Sequence, residues 1–219
     1  MLLKVEKRWV IAFIITAIVA MVSLFWPTQL PDAGSGVFLE ENNLVGADIA
    51  WLLASSGLVL LMTPGLSFFY GGMVGKKNVI STMLQSFIAL GVISLVWVVV
   101  GFSLSFGDSL GFYIGKEHYG IIGNPFSFTF FNQVGVLPHA KMAPTVPFIL
   151  FALFQMKFAV ITPAIITGSF AERVRFVSYL LFIVLFSLFI YAPLANMVWS
   201  GDGLLVKFFG IKDFAGGTV

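Results

Sequence analysis

Trp199 closes an apolar run and is followed at once by Ser200 and Gly201. At such a boundary an indole can hold a cation over its ring face, an attraction of about 0.5 to 2 kcal/mol depending on desolvation. It can equally anchor a helix at a membrane interface. Phe151, Phe154 and Phe158 recur at helical spacing within FALFQMKFAVITP, a pattern that ordinary bundle packing also produces. Asp213 heads the stretch DFAGGTV, where a carboxylate can cap free backbone N–H groups and meet the positive end of a helix dipole, or help hold a cation. Lys157 is the one charge inside a long apolar run. A lysine in a bilayer centre costs about 2.5 to 3.5 kcal/mol, so its ammonium should reach an aqueous pocket, a carboxylate or a subunit boundary. His118 and His139 lie in a polar stretch and are expected to be solvated, with no metal-ligand or triad spacing near them.

The surroundings of these residues are set by composition. The chain of 219 residues is 59% hydrophobic and 10% charged, with a mean hydropathy of +1.01, whereas soluble domains carry about 25% charged residues. That much apolar surface belongs in a bilayer. The absence of cysteine excludes disulfides, thiolate nucleophiles, iron–sulfur clusters and cysteine zinc sites, and no cofactor is expected. A net charge of +2, spread over loops, argues against nucleic acid. No span contains a carboxylate pair, a histidine cluster or a nucleophile–base pair, so an enzyme is not expected.

The stretch from Asp48 to Asn78 organises the rest. Ile49 to Gly75 carries no charge and is followed by Lys76 and Lys77; at ~1.5 Å per residue it crosses the ~30 Å of bilayer hydrocarbon. Ser55, Ser56, Gly57, Thr63, Pro64, Gly65, Gly71 and Gly72 give it a small-residue surface that lets other helices approach closely. Pro64 frees the carbonyl of Leu60, which then needs a partner from protein or water. These features predict a helix buried within a bundle. Three more spans follow, Val79 to Phe106, about Val146 to Ala171, and Phe176 to Ser200. Lys76 and Lys77 after the first span, and Arg173 and Arg175 after the third, mark the cytoplasmic side. Asp108 to Lys141 and Gly201 to Lys212 are then outer loops, and Trp199 falls at an outer helix end. Ahead of these spans, residues 1–31 read as a signal-like or extra membrane segment. Lys4, Lys7 and Arg8 precede an apolar core from Val10 to Phe25, with a weak cleavage candidate at Ala33 and Gly34. Residues 32–46 read as an extracytoplasmic linker.

Four stretches, in order, resemble the Amt/Mep/Rh ammonium transporter family. They are MTPGLSFFYGGMVGKKN from Met62, ITPAIITGSFAERVRF from Ile161, YAPLANMVWSGDG from Tyr191, and DFAGGTV from Asp213. The resemblance covers nearly everything from Asp48 onward and none of residues 1–45. It implies an all-α polytopic membrane protein, specifically the amino-terminal half of an eleven-helix inverted-repeat ammonium transporter fold. Residues 47–219 would be a truncated transporter domain, four spans and the start of a fifth.

The resemblance further implies ammonium transmembrane transport. Ammonium would be recruited at an outer aromatic site, deprotonated, and conducted as ammonia through an apolar pore with a separate proton relay. Potassium matches ammonium in size and charge but cannot lose a proton, and a dry constriction favours the neutral species. In the family pattern Trp199 flanks the outer ammonium site, Phe154 forms its floor and the upper part of a phenyl gate, and Asp213 is a mainly structural carboxylate with an electrostatic contribution. Gly216 and Gly217 would serve packing, and Glu172, Arg173 and Arg175 a cytoplasmic anchor. The family's relay histidines would fall beyond Val219. The implied setting is multi-pass in the cell (inner or plasma) membrane. The implied partners are lipid, ammonium or ammonia, two further copies in a homotrimer, and a cytoplasmic regulatory protein. The alternative is an ammonium-sensing membrane module of a signalling protein.

Overall fold

The computed structural model describes residues 7–26, 29–33, 35–214 and 216. The expectations placed on Lys4, Gly34 and Gly217 lie outside the described residues. Four helical stretches are long and apolar enough to cross a membrane: Gly46–Met73, Val79–Phe106, Phe148–Phe170 and Phe176–Trp199. Their limits agree with the spans expected from hydropathy and flanking charge. A shorter apolar helix, α1 (Lys7–Phe25), precedes them.

The first span, α2 (Gly46–Met73), has Asp48 in its first turn, where a carboxylate meets the unpaired N–H groups and the positive dipole end. Its small residues act along one line only. Ser56, Thr63, Ser67 and Gly71 are buried, and the Ser67 hydroxyl donates to the carbonyl of Met83 at 3.1 Å. A Cβ on Gly71 would lie 2.9 Å from Met83 Cγ, whereas Gly57, Gly65 and Gly72 face open space. Only 11% of this span is buried, the least of the four. Within this chain one stripe of α2 contacts α3 (Val79–Val96) and α5 (Phe148–Ile166), and much of its remaining surface is exposed.

The second and fourth spans share a feature that hydropathy does not reveal. After α3 the helix passes through a π turn at Trp97–Gly101 into α4 (Phe102–Phe106). After α6 (Phe176–Phe186) it passes through a second π turn at Ser187–Tyr191 into α7 (Ala192–Trp199). Each turn inserts one extra residue into the helical ladder and so rotates everything beyond it. The two turns meet, with the rings of Trp97 and Tyr191 6.3 Å apart. Trp97 is held by its indole N–H, which donates to the carbonyl of Ala152 at 3.0 Å.

The outer loop between α4 and α5 folds back over this end of the bundle. It contains a hairpin of β1 (Ser109–Ile114) and β2 (Glu117–Gly123), antiparallel, with a bulge between Leu110 and Gly111. The second outer loop forms α8 (Leu204–Phe209), and the N–H of Gly120 donates to the carbonyl of Asp202 at 2.8 Å, pinning hairpin to loop. Phe38, in the segment read as a linker, is 4% exposed and packs on Phe148 and His139. At the opposite end of the bundle, the Glu172 carboxylate accepts from the N–H of Gly75 at 2.8 Å and from Asn78 Nδ2 at 3.0 Å. These two bonds join the α2–α3 turn to the α5–α6 turn.

Candidate functional site

Rotation of α4 and α7 beyond their π turns brings Phe106 and Trp199 face to face, 5.6 Å between centroids and 15° between planes. Phe106 also meets the edge of Phe151 at 5.2 Å, and Phe151 stacks on Phe148 at 6.2 Å. Aromatic pairs in these geometries contribute about 0.5 to 1.5 kcal/mol beyond their area burial. The result is a continuous aromatic wall across three spans. Trp199, Phe106 and Phe151 line one side of an outer cleft of about 1450 Å³. The Trp199 indole N–H donates to the Asp213 carboxylate, so the structure unites two of the three residues singled out from sequence.

Phe154 is placed differently. It lines a second, smaller cleft of about 320 Å³ with Asp48, Trp51 and Leu52, and its ring meets Phe158 edge to face at 5.0 Å. Met142, Phe151 and Gln155 form the wall common to both clefts. Lys157 is half-buried on the same helix, and its ammonium donates to the carbonyl of Leu153 at 2.7 Å. It thus ends on its own backbone, one turn back, rather than on a carboxylate.

Sequence reasoning missed several groups in the larger cleft. Ser105 is 1% exposed; its hydroxyl and the Gln155 side-chain oxygen are buried there without a hydrogen-bond partner among the described residues. A four-residue step from Phe102 to Phe106 at the end of the second span was the one available sign that an aromatic stripe faced this way.

A polar cluster occupies the same cleft beside Trp199. Asp202 Oδ1 accepts from the hydroxyls of Ser109, at 3.0 Å, and Ser200, while Oδ2 meets His118 Nδ1 at 2.8 Å. Burial alone would raise the Asp202 pKa, but the bonds from Ser200, His118 and Ser109 outweigh it and hold the carboxyl below its ordinary range. His118 is therefore partnered rather than merely solvated.

His139 corrects the same expectation more strongly, at 4% exposed. It lies 4.8 Å from the ring of Phe148, and burial, with Lys141 second, lowers its pKa. Solvation was expected because the stretch around it is polar. The burial comes from Phe38 and Phe148, which reach it from distant parts of the chain. No cluster of three or more groups able to hold a metal ion exists among the described residues.

Fold and site together define a polytopic helical membrane protein with an aromatic, acid-flanked cleft at one end of its bundle. Residues 50–219 match the family model described as the Ammonium Transporter Family. The ammonium transporter of Bacillus subtilis is 44% identical over 172 residues, covering 78% of this chain and 39% of that protein. Among solved structures, Saccharomyces cerevisiae Mep2 matches with a TM-score of 0.66 at 32% identity, covering 80% of this chain and 36% of that one. A sensor Amt protein matches with a TM-score of 0.61 at 28% identity, covering 74% and 36%. The chain belongs to the ammonium transporter family and has the fold of the amino-terminal half. It spans about 40% of the length of the curated relatives it matches.

Proposed function

We propose that this chain recruits ammonium at the outer face of an ammonium transporter in the cell membrane. The observation that carries this reading is the aromatic wall of Trp199, Phe106 and Phe151 opening onto a cleft that also holds carboxylates. A cation in the cleft is attracted to the indole face. The Asp213 carboxylate, by accepting the indole N–H, pushes electron density into the ring and strengthens that attraction. The unpartnered oxygens of Ser105 and Gln155 accept ammonium N–H groups as hydration water is lost.

Phe154 lies three residues beyond Phe151, about 4.5 Å deeper along the helix. On the neighbouring cleft, behind the shared wall of Phe151 and Gln155, it forms with Phe158 an apolar gate that a cation passes only after giving up its proton, since burying an unpaired charge is far costlier than burying ammonia. Residues 47–219 act as the transporter domain, after a signal-like or extra membrane segment at 1–31 and a linker at 32–46. The working assembly is a homotrimer, with a cytoplasmic regulatory protein as a further partner.

The test is ammonium uptake by the polypeptide at its full natural length. Trp199→Leu and Phe154→Ala should raise KM roughly 2- to 30-fold, the span of a cation–π attraction of about 0.5 to 2 kcal/mol, and weaken discrimination against potassium. Unchanged uptake at limiting ammonium in both variants overturns the assignment. An ammonium-dependent signal without any uptake would assign the sensing alternative instead.

A further inference from the structure

The Asp202 carboxylate is built into the outer cleft by three separate segments: Ser109 begins β1, His118 lies in β2, and Ser200 follows α7. Its side chain is 40% exposed and lines the cleft together with Trp199, Ser109, Ser200 and His118. An ionised carboxylate offers about four acceptor positions. The two hydroxyls take those on Oδ1, and His118 takes one on Oδ2. Its own backbone N–H is a further partner, and the exposed part of the side chain faces the cleft, where it can meet an N–H of a small cation.

The neighbouring cations act on this carboxylate without bonding to it, Lys207 feeling its charge from a distance. Lys207, on α8, forms its own ion pair with Glu117 at 2.7 Å and donates to the carbonyl of His118 at 3.1 Å. Lys141 and Asp108 also line the cleft, one of each sign. Tyr113, opposite His118 on the hairpin, contacts its ring at 5.0 Å. The one titratable side chain bonded to Asp202 among the described residues is His118.

We propose that Asp202 is a second cation-binding residue of the outer cleft, which takes ammonium ahead of Trp199, and that His118 sets the charge Asp202 presents. The proposal rests on the recruitment reading above. With His118 neutral, Asp202 shows the cleft a full negative charge. With His118 protonated, the pair cancels internally and the attraction is lost. Ammonium itself stays protonated across about pH 5 to 8, so a change of affinity with pH in that range reports on the protein.

The experiment measures the ammonium KM of the full-length protein across about pH 5 to 8 and at low and high salt. Wild-type KM should rise as pH falls. Asp202→Asn should raise KM about three- to tenfold at the alkaline end, with a flat pH profile and a weaker salt dependence. His118→Gln retains the carboxylate and a side-chain donor, and should keep the low KM at every pH. Asp202→Asn matching wild type in KM and pH profile overturns the proposal. If Asp202→Asn does not fold, His118→Gln decides alone: a pH profile unchanged from wild type overturns it. Wild-type protein without uptake or ammonium binding removes the recruitment reading, and this proposal with it.

Discussion

Nδ1 of His139 accepts from the backbone N–H groups of Lys141 and Met142, both at 3.3 Å, so in the neutral ring the proton sits on Nε2. Protonating Nδ1 would break both bonds and place a charge against Phe38, Phe128 and Phe148. The folded protein therefore holds this pKa below the ordinary value of about 6.5. A base depressed on folding binds its proton more readily in the unfolded chain. Its stabilising contribution is fully present above the ordinary value and is lost as pH falls below it. Thermal unfolding should thus move to lower temperature from about pH 7 to pH 5, and His139→Gln should flatten that slope. The same logic of contact explains why Trp199 was legible only as an indole at a helix end. Its type and position follow from sequence, but Phe106 on one face and Asp213 on its N–H come from residues far along the chain.

At the scale of elements, the outer site depends on how closely α7, β2 and the α7–α8 loop approach. A Cβ on Gly203 would lie 2.3 Å from the carbonyl oxygen of Met197 and 2.7 Å from that of Asn196. Backbone atoms cannot yield as a flexible side chain can. Gly203→Ala should therefore cost about 1 to 3 kcal/mol, seen as a lower thermal midpoint in detergent, and should weaken ammonium uptake by moving Ser200 and Asp202. The four spans were readable because apolar runs of membrane length, with Lys157 a lone charge inside the third, ended at charged or glycine-containing turns. The π turns were not, since Trp97–Gly101 and Ser187–Tyr191 differ from their flanks in neither hydropathy nor propensity. Packing of Trp97 against Tyr191 and Ala152 selects them. The hairpin was equally hidden. Glycines at 111, 115, 120 and 123 break its alternation, and its strands are fixed by bonds to Asp202 and Ser200 across the cleft.

At the scale of the molecule, the two ends of the bundle are held by different means. Aromatic packing closes the end that carries Trp199, while at the other end Glu172 ties two turns together from a left-handed backbone conformation, φ +67°. Bonds from Asn78 and Gly75 hold its carboxyl below the ordinary range. That contribution is present above the ordinary carboxylate pKa of about 4.3 and is lost as pH falls below it. Glu172→Gln should remove this acid dependence and raise backbone hydrogen exchange around residues 75–78, while leaving the exchange of the outer loop unchanged. By itself the sequence determined the membrane class, the four spans and the family. Each of these follows from local runs of apolar residues, flanking charge and short motifs, which act independently of distant contacts. Only the tertiary structure decided that Trp199 stacks on Phe106, that Phe154 faces a neighbouring cleft, that His139 is buried and that Asp202 stands beside the indole. Those outcomes depend on helix rotation and loop docking, where one residue in the backbone register turns a side chain by roughly 100°.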